Sequence, residues 1–469
     1  MSLAGNFAVI PLLARGCLRG NASFMTDALD FLHDLAPSDI PPEVLTRARF
    51  NLLDLIGVGV GGATTPLSAI IRDHAALDMP GSCPMLFDDR TTTSAGAALA
   101  GGMTIDSLDA HDGFNPAKGH AGCGVLPALL AFAHETGLTD GGEVLTALTI
   151  GYELACRLAL ALHGTVPDYH TSGAWVAVAT AALGARLHGL TPDQTAHALG
   201  IAEYHGPRSQ MMRCIDHPTM LKDGSGYGAM AGVQAVCLAR RGFTGAPALT
   251  FGSPDEIWRD LGSRWLTLEQ YYKPYPVCRW AQPPVEALLS LRRAHDLTSS
   301  DVAAIHVTTF HESKRLATNA PATTEEAQYS TSFPCAIAMV KGDIGPRDVS
   351  GAALSDPEVR RLSLATEMHE SDTANAVFPG ERIARVDLHL TSGKTLSSDW
   401  HHSKWDPGQP PTPAEFSQKF HRYCAGIIPA ARAKAIEAAV EGVPRDGLSP
   451  LLPLLYQPIS ALTASDNAP

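Results

Sequence analysis

Apolar residues recur at helical spacing through most of the chain. The stretch Ser38-Asp39-Ile40-Pro41-Pro42-Glu43 is a helix start signal, with proline near the first turn. The helix it predicts carries Val44, Ala48, Leu52, Leu55 and Ile56 along one face. Gly57, Gly59, Gly61 and Gly62 then invite close helix packing or an end. They are not a dinucleotide fingerprint, because a helical pattern rather than a strand precedes them. Helices are also expected over residues 94–108, over 125–162 with a break near 139–142, over 174–188, from Thr191-Pro192-Asp193 to about 204, and over 229–239.

The period changes after Trp265. Residues 271–280 form an aromatic, proline-stiffened crossing, and a helix follows over 284–295. Residues 302–310 alternate as a strand, with Ile305, Val307 and Thr309 on one face and His306, Thr308 and Phe310 on the other. A helix is expected over 330–341, a hairpin over 383–390 and 395–400 around Thr391-Ser392-Gly393-Lys394, and helices again from 412 to about 440. The fold class is therefore mainly α. It divides into an N-terminal arm (1–23), a large all-α domain (24–266), a smaller α+β domain (267–405) and a helical return with a C-terminal tail (406–469).

Composition narrows the function classes. A net charge of −13 argues against nucleic acid as a partner. An acidic protein that binds acidic substrates must concentrate its few cations in a pocket. Nine scattered cysteines, odd in number and without a CxxC pair, fit a reducing compartment, and the expected location is the cytoplasm. The apolar run at residues 7–14 is too short to span a bilayer. No membrane partner is expected.

Three stretches carry candidate chemistry. Asp106 to Cys123 holds three aspartates and two histidines between apolar helices, a grouping suited to acid–base work or a metal. Its spacing matches neither HExxH nor an EF-hand loop, so no metal is expected. The plainer alternative is helix-end capping by Asp109, Asp112 and His120. Tyr169-His170-Thr171-Ser172-Gly173 places a histidine just before a helix, with Thr171 or Ser172 as its cap. Lys222 stands at a Gly-rich helix entry, where a cation can meet a carboxylate or phosphate. A solvated helix-end lysine is the alternative.

In order and spacing these stretches, with Lys273-Pro274-Tyr275-Pro276 and residues 385–406, resemble the MmgE/PrpD family over residues 27 to about 440. The resemblance implies a helical domain joined to a small α+β domain, a homodimer, and no required metal or organic cofactor. It implies reactions like those of 2-methylcitrate dehydratase, cis-aconitate decarboxylase and iminodisuccinate epimerase, on small di- or tricarboxylates. It places Asp109, His120, His170, Lys222 and Lys273 in one pocket. Lys222, Lys273 and Arg279 would hold substrate carboxylates, and His120 or His170 would be the general acid or base, with Asp109 tuning a histidine. Three positions depart from the family pattern. Gly113 stands where decarboxylase-type members carry Thr, Cys278 where several carry His, and Phe333 where several carry Tyr. The chain is expected to be a lyase, either dehydrating or decarboxylating. An epimerase or isomerase of a dicarboxylate is the alternative, and a non-catalytic carboxylate-binding protein the remote one.

Overall fold

Helix α1 (Pro42–Gly62) runs from the proline start signal to the end of the glycine run. Its last glycine lies against α3 (Ser94–Asp106): a Cβ on Gly62 would come within 2.0 Å of the Thr104 carbonyl. The glycines thus serve both expected purposes, close packing and a terminus. Between these helices runs α2 (Pro66–Asp78), capped by Thr65 accepting from the Ser68 N–H. The structure, a computed structural model, describes residues 28–316 and 319–459; the expected N-terminal arm lies outside these.

The first domain continues with α4 (Gly122–Thr136), α5 (Gly141–His163), α6 (Gly173–Leu187), α7 (Pro192–His205) and α8 (Ser225–Arg240). Their starts follow capping chemistry where the sequence offers it. Asp140 accepts from Glu143, and Thr191 forms a reciprocal box with Gln194. Helix α5 is long and apolar enough to cross a membrane by length and composition, but 94% of its apolar window is buried inside the protein. It is a core helix, packed by α1, α4 and α6. Helix α8 packs against α3, α4, α6 and α7. Apart from two-residue strands, residues 40–240 contain no sheet.

Strands gather later in the chain. β1 (Gly113–Phe114) pairs antiparallel with β2 (Gln270–Tyr271), joining the first domain to the crossing segment. After α9 (Gln282–Ala294) come β3 (Val302–Thr309), α10 (Ser332–Lys341), α11 (Pro357–Leu364), β4 (Thr366–Glu370), β5 (Ile383–Leu390), β6 (Thr395–Ser397) and β7 (His401–His402). The sheet order is β4-β3-β5-β6, with β7 also paired to β5. Ile305 and Val307 face the core as the alternation predicts. The pairing of β3 with β4 is parallel and spans a helical crossover. β4 was not expected: in Thr366-Glu367-Met368-His369-Glu370 only Thr366 is buried, so it lacks the apolar signal of a strand. The hairpin's second strand is shorter than expected and stops at Ser397.

The chain then returns to the first domain as α12 (Pro413–Cys424) and α13 (Ala430–Asp446), both packed on α1. Lys419 of α12 is sealed from water. Its ammonium lies 2.6 Å from Asp54 of α1 and donates to the Ala110 carbonyl at 2.9 Å. Burial pushes Asp54 up and Lys419 down, each against the pull of the other. Removing one partner strands the other's charge in the core. Lys419→Met is therefore expected to lower stability by about 3–5 kcal/mol in denaturant titration. Adding Asp54→Leu should restore most of that loss. Additive losses in the double variant would refute the coupling.

Candidate active site

The loop after α3 makes a sharp turn. Asp109 adopts the left-handed region (φ +50°), as does Lys118 (φ +52°). Between them β1 pairs with β2 and Phe114 bridges to Gly119, so the loop doubles back on the crossing segment. This geometry brings Asp109 to Lys273. The Lys273 ammonium donates to Asp109 Oδ1 at 2.6 Å and to the Asp109 carbonyl at 2.8 Å, with both side chains buried. Burial works against both charges, and their mutual attraction outweighs it. Lys273 sits above its ordinary value, and Asp109 well below the usual carboxylate range, helped by Lys222.

His120 lies beside this pair, its Nε2 3.7 Å from Asp109 Oδ1. Its backbone N–H donates to Ser172 Oγ at 2.8 Å. Its Nδ1 meets the Asp112 carbonyl, which requires a proton on Nδ1 and leaves Nε2 with a free lone pair. Burial, His111 and Lys273 push its pKa down to about 3, so the imidazole is neutral. His111 stands edge-on to it at 4.3 Å between ring centres, with Nε2 3.2 Å from Asp106. None of Asp109, Asp112 and His120 caps a helix in the way the plainer alternative supposed. Asp112 instead accepts from the Tyr152 hydroxyl, and burial raises its carboxyl to about 6.

A cleft of about 460 Å³, counted to its open mouth, is lined by Asp109, Lys118, His120, Asp223, Tyr271, Lys273, Cys278, Arg279, Trp280, Tyr329 and Arg382, among others. Of the residues singled out in the sequence, Asp109, His120, Lys273 and Arg279 thus come together. Lys222 and His170 do not line it. Lys222 has φ +51° and turns its ammonium to Gln328 Oε1 at 2.5 Å, over the Tyr329 ring at 4.7 Å. It is buried against the lining residue Tyr329 rather than set at an open helix entry. His170 is half-buried, with its ring toward the Asp168 carbonyl. Neither Thr171 nor Ser172 caps α6 through its side chain: Ser172 Oγ is taken by His120 and Asp223.

The cations differ in how they are matched. Arg279 is held by Asp406 at 2.5 Å and by the Tyr272 and Lys404 carbonyls. Arg382 donates to the Pro379 carbonyl at 3.3 Å and lies over the Phe378 ring at 5.9 Å, and its buried Nε has no hydrogen-bond partner. Lys118 lies over the Tyr169 ring at 3.6 Å. Among the described residues, neither Arg382 nor Lys118 pairs with a carboxylate. Burial, with Asp106 nearby, shifts the Asp223 carboxyl well above the usual carboxylate range. The cleft is a positive island in an acidic protein.

Tyr271 stands 6.3 Å from His120, ring centre to ring centre, and the glycine at position 113 leaves room for both. A Cβ there would lie 2.4 Å from the Tyr271 phenol oxygen and 2.8 Å from His120 Nδ1. Burial raises the Tyr271 phenol to about 12 and the Cys278 thiol to about 12, so both keep their protons. Phe333 is buried in the core, while Tyr329, four residues earlier, brings a phenol to the cleft. Sequence reasoning missed Tyr271, Tyr329, Arg382 and Lys118 as site residues. Lys118 lay within the Asp109–His120 segment, but Arg382 and Tyr329 stand in no local pattern.

Comparison with known proteins gives relatives along most of the chain. A cis-aconitate decarboxylase-like protein of Aspergillus oryzae is 26% identical over 466 residues, covering 88% of this chain and 92% of that protein. A cis-aconitate decarboxylase of Aspergillus terreus is 26% identical over 475 residues, covering 91% and 95%. The human cis-aconitate decarboxylase is 23% identical over 424 residues, covering 85% and 87%. The segment that carries Tyr271 and Lys273 falls between two matched family models. With the MmgE/PrpD N-terminal domain matched over residues 27–254 and the C-terminal domain over 275–443, the chain belongs to the MmgE/PrpD family.

Proposed function

We propose that this enzyme is a lyase that removes CO2 from a small unsaturated tricarboxylate, with cis-aconitate the first substrate to test. The observation that carries the reading is the pair of cations without carboxylate partners, Lys118 and Arg382, facing a neutral His120 in one cleft. A polycarboxylate supplies the missing negative charge, through charge-assisted hydrogen bonds. The names of the relatives point to the same substrate class.

The chemistry runs within the substrate. The bond between a carboxylate carbon and its neighbour breaks, and CO2 leaves without the electron pair. That pair becomes a new double bond, and the old double bond's electrons take up a proton at its far carbon. No electron leaves the substrate, so the reaction as written needs no cofactor. His120 Nε2 faces Asp109, which stabilises an imidazolium once His120 holds a proton. Tyr271, which keeps its own proton, is a second donor beside it.

The deciding experiment is proton NMR of cis-aconitate with the enzyme in D2O. We expect loss of CO2 and one deuteron gained at carbon. Loss or gain of water would instead assign a dehydratase, and exchange at carbon with neither loss an epimerase. Arg382→Ala should lower kcat/KM by about 10-fold or more, a loss of roughly 1.5–3 kcal/mol of carboxylate binding. Unchanged kinetics would remove Arg382 from the site.

His120 gives a pH test. Its folded-state value of about 3 lies below the ordinary 6.5. The stability contributed by its neutral form is therefore present above 6.5 and lost as pH falls toward 3. In histidine-labelled NMR of the free enzyme, the His120 signal should stay neutral from pH 8 to 5. A bound tricarboxylate should raise its midpoint. A free-enzyme midpoint near 6.5 would contradict the burial argument.

A further inference from the structure

On the outer face of the sheet, away from the cleft lining, His306 of β3 and Glu367 and His369 of β4 bring three metal-ligating atoms within 4.8 Å of one another. The parallel register creates this grouping: His306 lies beside Glu367, and Thr308 beside His369. Because Ile305 and Val307 point into the core, His306 points outward. Residues 61 apart in sequence therefore meet with no local motif to mark them.

We propose that His306, Glu367 and His369 form a binding site for a divalent transition-metal ion of the zinc class. The geometry is already close to a ligand set. His306 Nε2 and His369 Nε2 each lie 3.6 Å from Glu367 Oε2. Ligands on a tetrahedral zinc at about 2.0–2.2 Å stand roughly 3.3–3.6 Å apart. Two imidazoles and one carboxylate favour Zn2+, Co2+ or Ni2+ over Mg2+ or Ca2+, which prefer all-oxygen shells. The fourth position is left to water.

An outer shell supports the same assignment. His306 Nδ1 lies 3.2 Å from His389 Nε2, and His389 Nδ1 lies 3.1 Å from Thr395 Oγ1. A proton on His306 Nδ1, donated to His389, leaves Nε2 free to bind a metal. Such a second hydrogen bond fixes the ring of a metal-bound histidine. Asp387, opposite His306 on β5, adds negative potential. The nearby Arg385 is drawn aside over the Trp400 ring. The metal would clip edge strand β4 to β3.

The test uses the full chain, stripped with a chelator and titrated calorimetrically with Zn2+ alone. Wild type should bind one equivalent and gain thermal stability. His369→Ala and Glu367→Gln, both on the exposed face, should each weaken binding by about 10-fold or more while leaving the metal-free melting temperature unchanged. His389→Gln should weaken it by about 10-fold through the outer shell. Ca2+ should give no heat. The proposal fails if wild type takes up no zinc, or if both ligand variants bind it as wild type does.

Discussion

A lysine ammonium and an aspartate carboxylate, 2.6 Å apart and sealed from water, hold the cleft in shape. Asp109 comes from the loop after α3, and Lys273 from the segment that leads into the second domain. Charges this deep persist only when paired, since burial alone would neutralise either one. The pair therefore fixes two distant parts of the chain relative to each other. His120, Tyr271 and the β1–β2 pairing are arranged around it. Lys419 does similar work one layer below, where it holds Ala110 of the same loop against α1.

Under the proposed function, charge matching explains how an acidic protein would attract an anion. With a net charge of −13, its long-range field repels a tricarboxylate. Attraction must come from a place where cations outnumber ionised carboxylates. The cleft would meet that condition less by adding cations than by pairing or neutralising its carboxylates. Burial shifts the Asp223 carboxyl toward its neutral form, Asp109 is committed to Lys273, and Asp406 is committed to Arg279. Lys118 and Arg382, both in the lining, have no carboxylate partner among the described residues.

Much of this was legible in the sequence. Apolar period and capping residues placed the helices of the first domain, because helical packing is written locally. The strand over Val302–Thr309 was legible because its alternation matches a sheet with one buried face. β4 was not, since an edge strand with mostly exposed side chains carries no apolar pattern. At the site, Asp109, His120, Lys273 and Arg279 could be read from clustered charge and from family resemblance. Lys222 and His170 stand outside the lining, which sequence does not reveal because it gives a position on the chain but not a side-chain direction. Lys222, at a left-handed turn, directs its ammonium to Gln328 and over the Tyr329 ring. Arg382 and Tyr329 reach the cleft through tertiary packing alone.

The fit of Tyr271 over Gly113 restricts how this cleft can change over time. The hydrogen at position 113 and the phenol of position 271 occupy one shared space, with 2.4 Å between a notional Cβ and the phenol oxygen. A lineage that acquired threonine at 113 first would drive the ring off His120 before any gain from the new hydroxyl. Shortening residue 271 first would open the space and make the second step tolerable. The two positions are therefore one evolutionary unit with a preferred order of replacement, and each alternative puts a hydroxyl near the same histidine from a different strand.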